Sequence, residues 1–163
     1  MLFNIRTLYN KLTAYHSVTI SIIALVIPVI IIVIKILQHT NDVFTYLVDD
    51  SYIHLAVSKN LALNNCWGIS KHEFASASSS ILYPLILSAI FKITGVHTIV
   101  PFIVNLITAI IFIIVLQKWL SRQGIPPAGQ QIILLITIFF VPLPILVMAG
   151  MEHTLQLLFF FFF

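Results

Sequence analysis

Charge is what this sequence lacks most. Lys, Arg, Asp and Glu together supply 8% of its 163 residues, against about 25% in a typical soluble domain. With 60% hydrophobic residues and a mean hydropathy of +1.10, the composition excludes an ordinary soluble core and implies an integral membrane protein in contact with a lipid bilayer. The net charge is only +3, and no run of Lys or Arg gathers on one face, so nucleic acid is not an expected partner. Cysteine is equally scarce: the lone Cys66 excludes an internal disulfide framework and reads as a small buried hydrophobe. The 5 glycines form no Gly-rich phosphate loop, and no internal repeat is evident. Carboxylates number only 5, so where they stand carries information.

Hydrocarbon is what the chain has in abundance. A first apolar span covers residues 17–37, long enough for the roughly 20 residues that a bilayer helix needs. Lys35 near its end can snorkel to the interface, and Pro28 inside it predicts a kink. Arg6 and Lys11 precede the span in the manner of a signal peptide, but the following QHTNDVF offers no cleavage site, so an uncleaved anchor is expected. Further spans are expected at 99–116 and 131–148, separated by a basic loop with Lys118, Arg122, Gly124 and Pro126-Pro127. Residues 81–93 are also apolar but fall short of the ~17 residues that a crossing requires.

Topology follows from the basic residues. The amino terminus and the Lys118/Arg122 loop both belong in the cytoplasm, which requires an even number of crossings between them. Residues 81–93 are then an interfacial or re-entrant helix, and 39–98 form one external loop. That arrangement puts Asp49, Asp50 and Glu152 on the same external side. The expected fold is all-α, polytopic and transmembrane, in the plasma (inner) membrane, with its candidate site external or periplasmic.

Within the loop, residues 50–64 read as a helix at the membrane surface. Asp50, Ser51, His54 and Ser58 fall on one polar stripe, and Tyr52, Ile53, Ala56 and Leu63 on the other side. Asp49 or Asp50 can cap the start of this helix, and Ser79 or Ser80 the start of the next. One Asp suffices as a cap, worth about 0.5–2 kcal/mol. A second adjacent carboxylate calls for a cation or a raised pKa. Glu152, just beyond an uncharged span in AGMEHT, is a functional candidate on the same ground. Its neighbour His153 makes no zinc motif with it, because helical zinc ligands need i, i+4 spacing.

The order of these motifs carries a resemblance. DDSYIHLAVSKNLALNN, then SSSILYPLILSAIFKITG, a span, a basic turn, a span and AGMEHTLQLLF resemble the amino-terminal part of the GT-C superfamily of polytopic membrane glycosyltransferases. That superfamily includes lipid A aminoarabinose transferases and protein O-mannosyltransferases. The resemblance covers most of residues 46–158 and implies a GT-C-like fold. It also implies transfer of a sugar from a polyprenyl-phosphate donor to a hydroxyl of a glycan, lipid or protein acceptor at the external face. In that reading Asp49 matches the general base. Asp50 and Glu152 match acids that orient the acceptor or hold a divalent cation, Mg²⁺ or Mn²⁺, against the leaving phosphate. His54 and Lys59 join the substrate-binding set, Lys59 as a point charge for phosphate. Ile81 departs from the pattern, since relatives often carry Pro after the serines.

A further apolar stretch begins near Thr154 and stops at Phe163, so an amino-terminal piece of such an enzyme is expected. The alternatives are a non-catalytic remnant or assembly subunit, and a transporter module. A transporter would place its polar residues inside the spans, whereas these carboxylates stand at span ends.

Overall fold

The computed structural model describes the backbone of residues 2–162 and the side chains of 15–161. The side chains of Arg6 and Lys11 lie outside the described residues. Every regular element described is helical: α1 (Leu2–His39), α2 (Asp50–Asn64), α3 (Leu82–Thr94), α4 (Val100–Arg122), α5 (Pro127–Phe140), α6 (Leu143–Met148) and α7 (His153–Phe162).

Two helices are long and apolar enough to cross a membrane, residues 15–39 of α1 and 100–122 of α4, with mean hydropathies of 3.1 and 2.5. Only 17% of the most apolar window of α1 is buried against the rest of the chain, and Ile20, Ile23, Ile27, Ile30, Ile31 and Ile34 stand about half exposed. Such a wide apolar face is compatible with contact to the hydrocarbon of a bilayer. Pro28 leaves α1 unbroken.

The expected third span is not one helix. The chain turns at residues 141–142, dividing 131–148 between the 14-residue α5 and the 6-residue α6. Pro142 and Pro144 supply the reason: neither has an N–H to continue the ladder, and Pro142 disfavours the helical region at its predecessor Val141, whose ψ is 11°. The 13 residues of α3 span about 20 Å, well short of a bilayer core of roughly 30 Å.

Helix directions follow from contacts between distant residues. Gln131 Nε2 donates to Ser21 Oγ at 3.2 Å, and Leu47 N–H to Met148 O at 3.4 Å, so α5–α6 runs alongside α1 in the same direction. Gln117 Nε2 donates to Gln130 Oε1 at 3.1 Å, which makes α4 antiparallel to both. Leu25, Val29, Phe112, Ile113, Leu134 and Val147 are among the residues that fill the core between them.

The α2–α3 layer lies over one end of this bundle, where α1 and α6 finish and α4 and α7 begin. A separate cluster of Tyr46, Leu55, Tyr83, Leu87, Phe91 and Val100 packs beneath it. Lys118 and Arg122 belong to the opposite end.

Candidate functional site

Tyr46 is the hinge pin of the acidic pole. Its hydroxyl donates to Thr98 O and accepts from Phe102 N–H at 3.1 Å, tying the end of the α1–α2 connection to the start of α4. The ring lies against Gly150, where an added Cβ would sit 2.4 Å from Tyr46 Cδ1. Gly150 also has φ +67°, a left-handed conformation that glycine adopts without steric cost. The glycine of AGMEHT thus permits both the turn and the aromatic contact that bring Glu152 under α2.

Tyr83 braces the same turn from α3. Its hydroxyl, in a fully buried side chain, lies 3.1 Å from Asn105 Oδ1 and 3.3 Å from Gly150 O. Asn105 Oδ1 also accepts from Thr154 Oγ1 at 3.1 Å. Burial pushes both tyrosine hydroxyls well above the ordinary phenol range, so they remain protonated donors.

The polar stripe of α2 faces inward. Ser51, His54 and Ser58 are buried while Tyr52 and Leu63 are exposed, because the stripe meets polar groups rather than water. His54 Nε2 lies 3.0 Å from Glu152 Oε2, with the two side chains 2% and 3% exposed. This contact has no aligned N–H···O bond, and Oε2 is left without a hydrogen-bond partner. Glu152 Oε1 is engaged instead by Ser79 Oγ, which donates at 2.8 Å. His54 Nδ1 lies 3.0 Å from Ser78 Oγ, and the ring stands edge-on to Tyr83 at 5.5 Å. Burial lowers the His54 pKa below the ordinary imidazole value. Glu152 and Asp50 pull it upward and His153 downward, but burial outweighs them. The imidazole is therefore neutral at neutral pH.

Asp50, Ile53, His54, Ala77 and Ser79 line a small notch of about 110 Å³ above this cluster. Asp49 and Asp50 are both exposed. The expected Asp cap does not form: Asp49 makes no side-chain capping bond, and its carbonyl accepts from Tyr52 N–H at 2.9 Å. At α3 the N-cap position is Ile81, and Ser80, one residue before it, accepts from Tyr83 N–H at 3.3 Å.

The fold thus brings Asp50 and Glu152 to the same imidazole, His54, with Asp49 adjoining Asp50 in the chain and exposed. Lys59 is exposed and, nine residues along the helix from Asp50, points to the opposite side of α2. Among the described residues no three His, Cys, Asp or Glu side chains converge as a metal site.

Ser78, Ser79, Tyr46, Tyr83 and Asn105 are the contributors that the motifs did not reveal as a network. Asn105 alone carried a signal, a polar amide inside an apolar span. No protein-family model matches the chain, and no curated protein or solved structure does either.

Proposed function

We propose that the chain is a multi-pass membrane glycosyltransferase of the GT-C type, which moves a sugar from a polyprenyl-phosphate donor to an acceptor hydroxyl at the acidic pole. The observation that carries this reading is the meeting of two remote motifs around one notch. Asp50 lines it, and Glu152 contacts two of its other lining residues, His54 and Ser79. The positive-inside rule puts the Lys118/Arg122 pole in the cytoplasm and this pole outside, in the plasma (inner) membrane.

A notch of about 110 Å³ is smaller than the roughly 300–1,000 Å³ of sites that enclose a whole ligand. It holds the reacting end of an acceptor, with the rest lying above. Asp49, exposed and with no capping bond, is free to take a proton. The acceptor oxygen attacks the anomeric carbon as the carbon–oxygen bond to phosphate breaks. Polyprenyl phosphate leaves with the bonding electrons, and the acceptor proton passes to the Asp49 carboxylate. Asp50, His54 and Ser79 orient the hydroxyl, and Glu152 fixes His54 and Ser79. No step is assigned to a divalent cation or to Lys59.

The test is release of free polyprenyl phosphate in proteoliposomes supplied with polyprenyl-phosphate hexoses and pentoses together with glycan, lipid and peptide acceptors that carry free hydroxyls. Removing a positioned general base costs about 10²–10⁴-fold in rate, so Asp49→Asn should reduce release by at least 10²-fold while membrane insertion is unchanged. Undiminished turnover by that variant would refute the base assignment. Absence of release from every donor would refute the transferase reading.

A further inference from the structure

The opposite pole holds a second cavity, of about 260 Å³, lined by Val115, Lys118, Trp119 and Arg122 of α4 and by Phe161 of α7. The α4 residues recur at i, i+3, i+4 and i+7 and so share one helical face. Trp119 packs edge-on against Phe161 with ring centroids 5.6 Å apart, closing the apolar side. Lys118 and Arg122 are exposed at the rim. Neither has a carboxylate partner among the described residues; the close carboxylate contact there is the one between His54 and Glu152. All 5 carboxylates of the chain, Asp42, Asp49, Asp50, Glu73 and Glu152, belong to the other pole.

We infer that this cavity binds an anionic phospholipid, its phosphate held by Lys118 and Arg122 and one acyl chain laid along α4. Two adjacent cations match a phosphodiester, Arg through its fork of donors and Lys as a point charge. The walls argue for a lipid rather than a soluble phosphate: Val115, Trp119 and Phe161 offer only apolar surface and an indole. The apolar face continues along α4 through Ile111, Ile107 and Ile103, which are 41%, 52% and 45% exposed. At 1.5 Å per residue, Arg122 to Ile111 measures about 16 Å, half of a hydrocarbon core of roughly 30 Å. That is the depth of one leaflet. Basic pockets between membrane helices on the cytoplasmic side are suited to acidic headgroups. The inference requires only that the chain sits in a bilayer and does not depend on sugar transfer.

The chain has 2 tryptophans, so Trp67→Phe leaves Trp119 as the only indole reporter at the cavity. In nanodiscs, brominated phosphatidylglycerol should quench Trp119 at a mole fraction at least fivefold lower than brominated phosphatidylcholine of the same chain length, as expected for charge-assisted binding. Adding Lys118→Gln and Arg122→Gln should abolish that difference, with Trp119 emission in phosphatidylcholine unchanged as the sign of an intact fold. Equal quenching by the two lipids in the parent chain would overturn the inference. So would displacement of the brominated phosphatidylglycerol by millimolar glycerol phosphate, which would reveal a site for soluble phosphates.

Discussion

The two poles of the bundle solve the same problem, joining apolar helices through buried polar groups, with opposite chemistry. At the Lys118/Arg122 pole the joints are neutral: Gln117 to Gln130, Gln130 Nε2 to Ile125 O at 2.7 Å, and Gln131 to Ser21. The cations there stay outside. At the acidic pole the joints include His54, Glu152, Tyr46 and Tyr83, and two of them, the buried His54 and Glu152, can change charge. Amide links hold at any pH, whereas a pole built from titratable groups is a place where pH acts on the fold.

The contrast can be broken hardest at Gly150. Ala there meets two costs together: a positive φ, and a Cβ 2.4 Å from the Tyr46 ring. Strain of this kind and forced overpacking each cost roughly 1–3 kcal/mol, so Gly150→Ala should destabilise by about 2–6 kcal/mol. Thermal unfolding in detergent would show it. Gly124, also at positive φ (+74°) but with nothing within 4 Å of an added Cβ, supplies the control: its Ala variant should lose only the backbone part. Equal losses at the two glycines would mean that the Tyr46 contact contributes nothing.

This pair of glycines also shows what could be read from the sequence. Helical character, the two long spans and the short 82–94 helix follow from apolar runs, because their length and continuity are local properties. The break at residues 141–142 was written in Pro142 and Pro144 and hidden by the apolar run around them. The inward turn of Ser51, His54 and Ser58 was not legible, since a polar stripe looks the same whether it meets water or a buried carboxylate. Asp50 and Glu152 could be nominated singly from the scarcity of carboxylates, and His54 from its place on the polar stripe of α2. That Ser79 donates to Glu152, and that Gly150 yields to Tyr46, depends on contacts between residues remote in the chain, for which no periodicity exists.

Acidification should separate the poles next. The His54 pKa is lowered in the folded chain, so below the ordinary imidazole value near 6.5 the unfolded chain binds the extra proton more readily. Stability then falls as pH drops from about 6.5 toward the folded-state pKa and is level above it. The groups facing the ring are Asp50 on its own helix, Glu152 and His153 from the α6–α7 turn, and Tyr83 from α3. The unfolding temperature should therefore drop by roughly a few degrees between pH 7 and pH 5. His54→Gln should flatten the part of that slope that belongs to the imidazole. A slope unchanged in the variant would move the titrating group elsewhere.

The smallest effect belongs to the amide pole and sharpens the comparison from its quiet side. Gln131 donates to Ser21, but its Oε1 is buried without a partner. An amide that makes one hydrogen bond while leaving an acceptor dry gains little net stability, and interhelical hydrogen bonds in membranes average only about 0.6 kcal/mol. Gln131→Leu keeps the apolar packing and removes the dry oxygen, so its stability should change by less than about 1 kcal/mol, with no dependence on pH between 5 and 8. Unfolding measured across that range reads both quantities at once. A loss of several kcal/mol would make the Ser21 bond a principal tie between α1 and α5. A pH slope arising at this pole would remove the distinction between neutral and titratable joints.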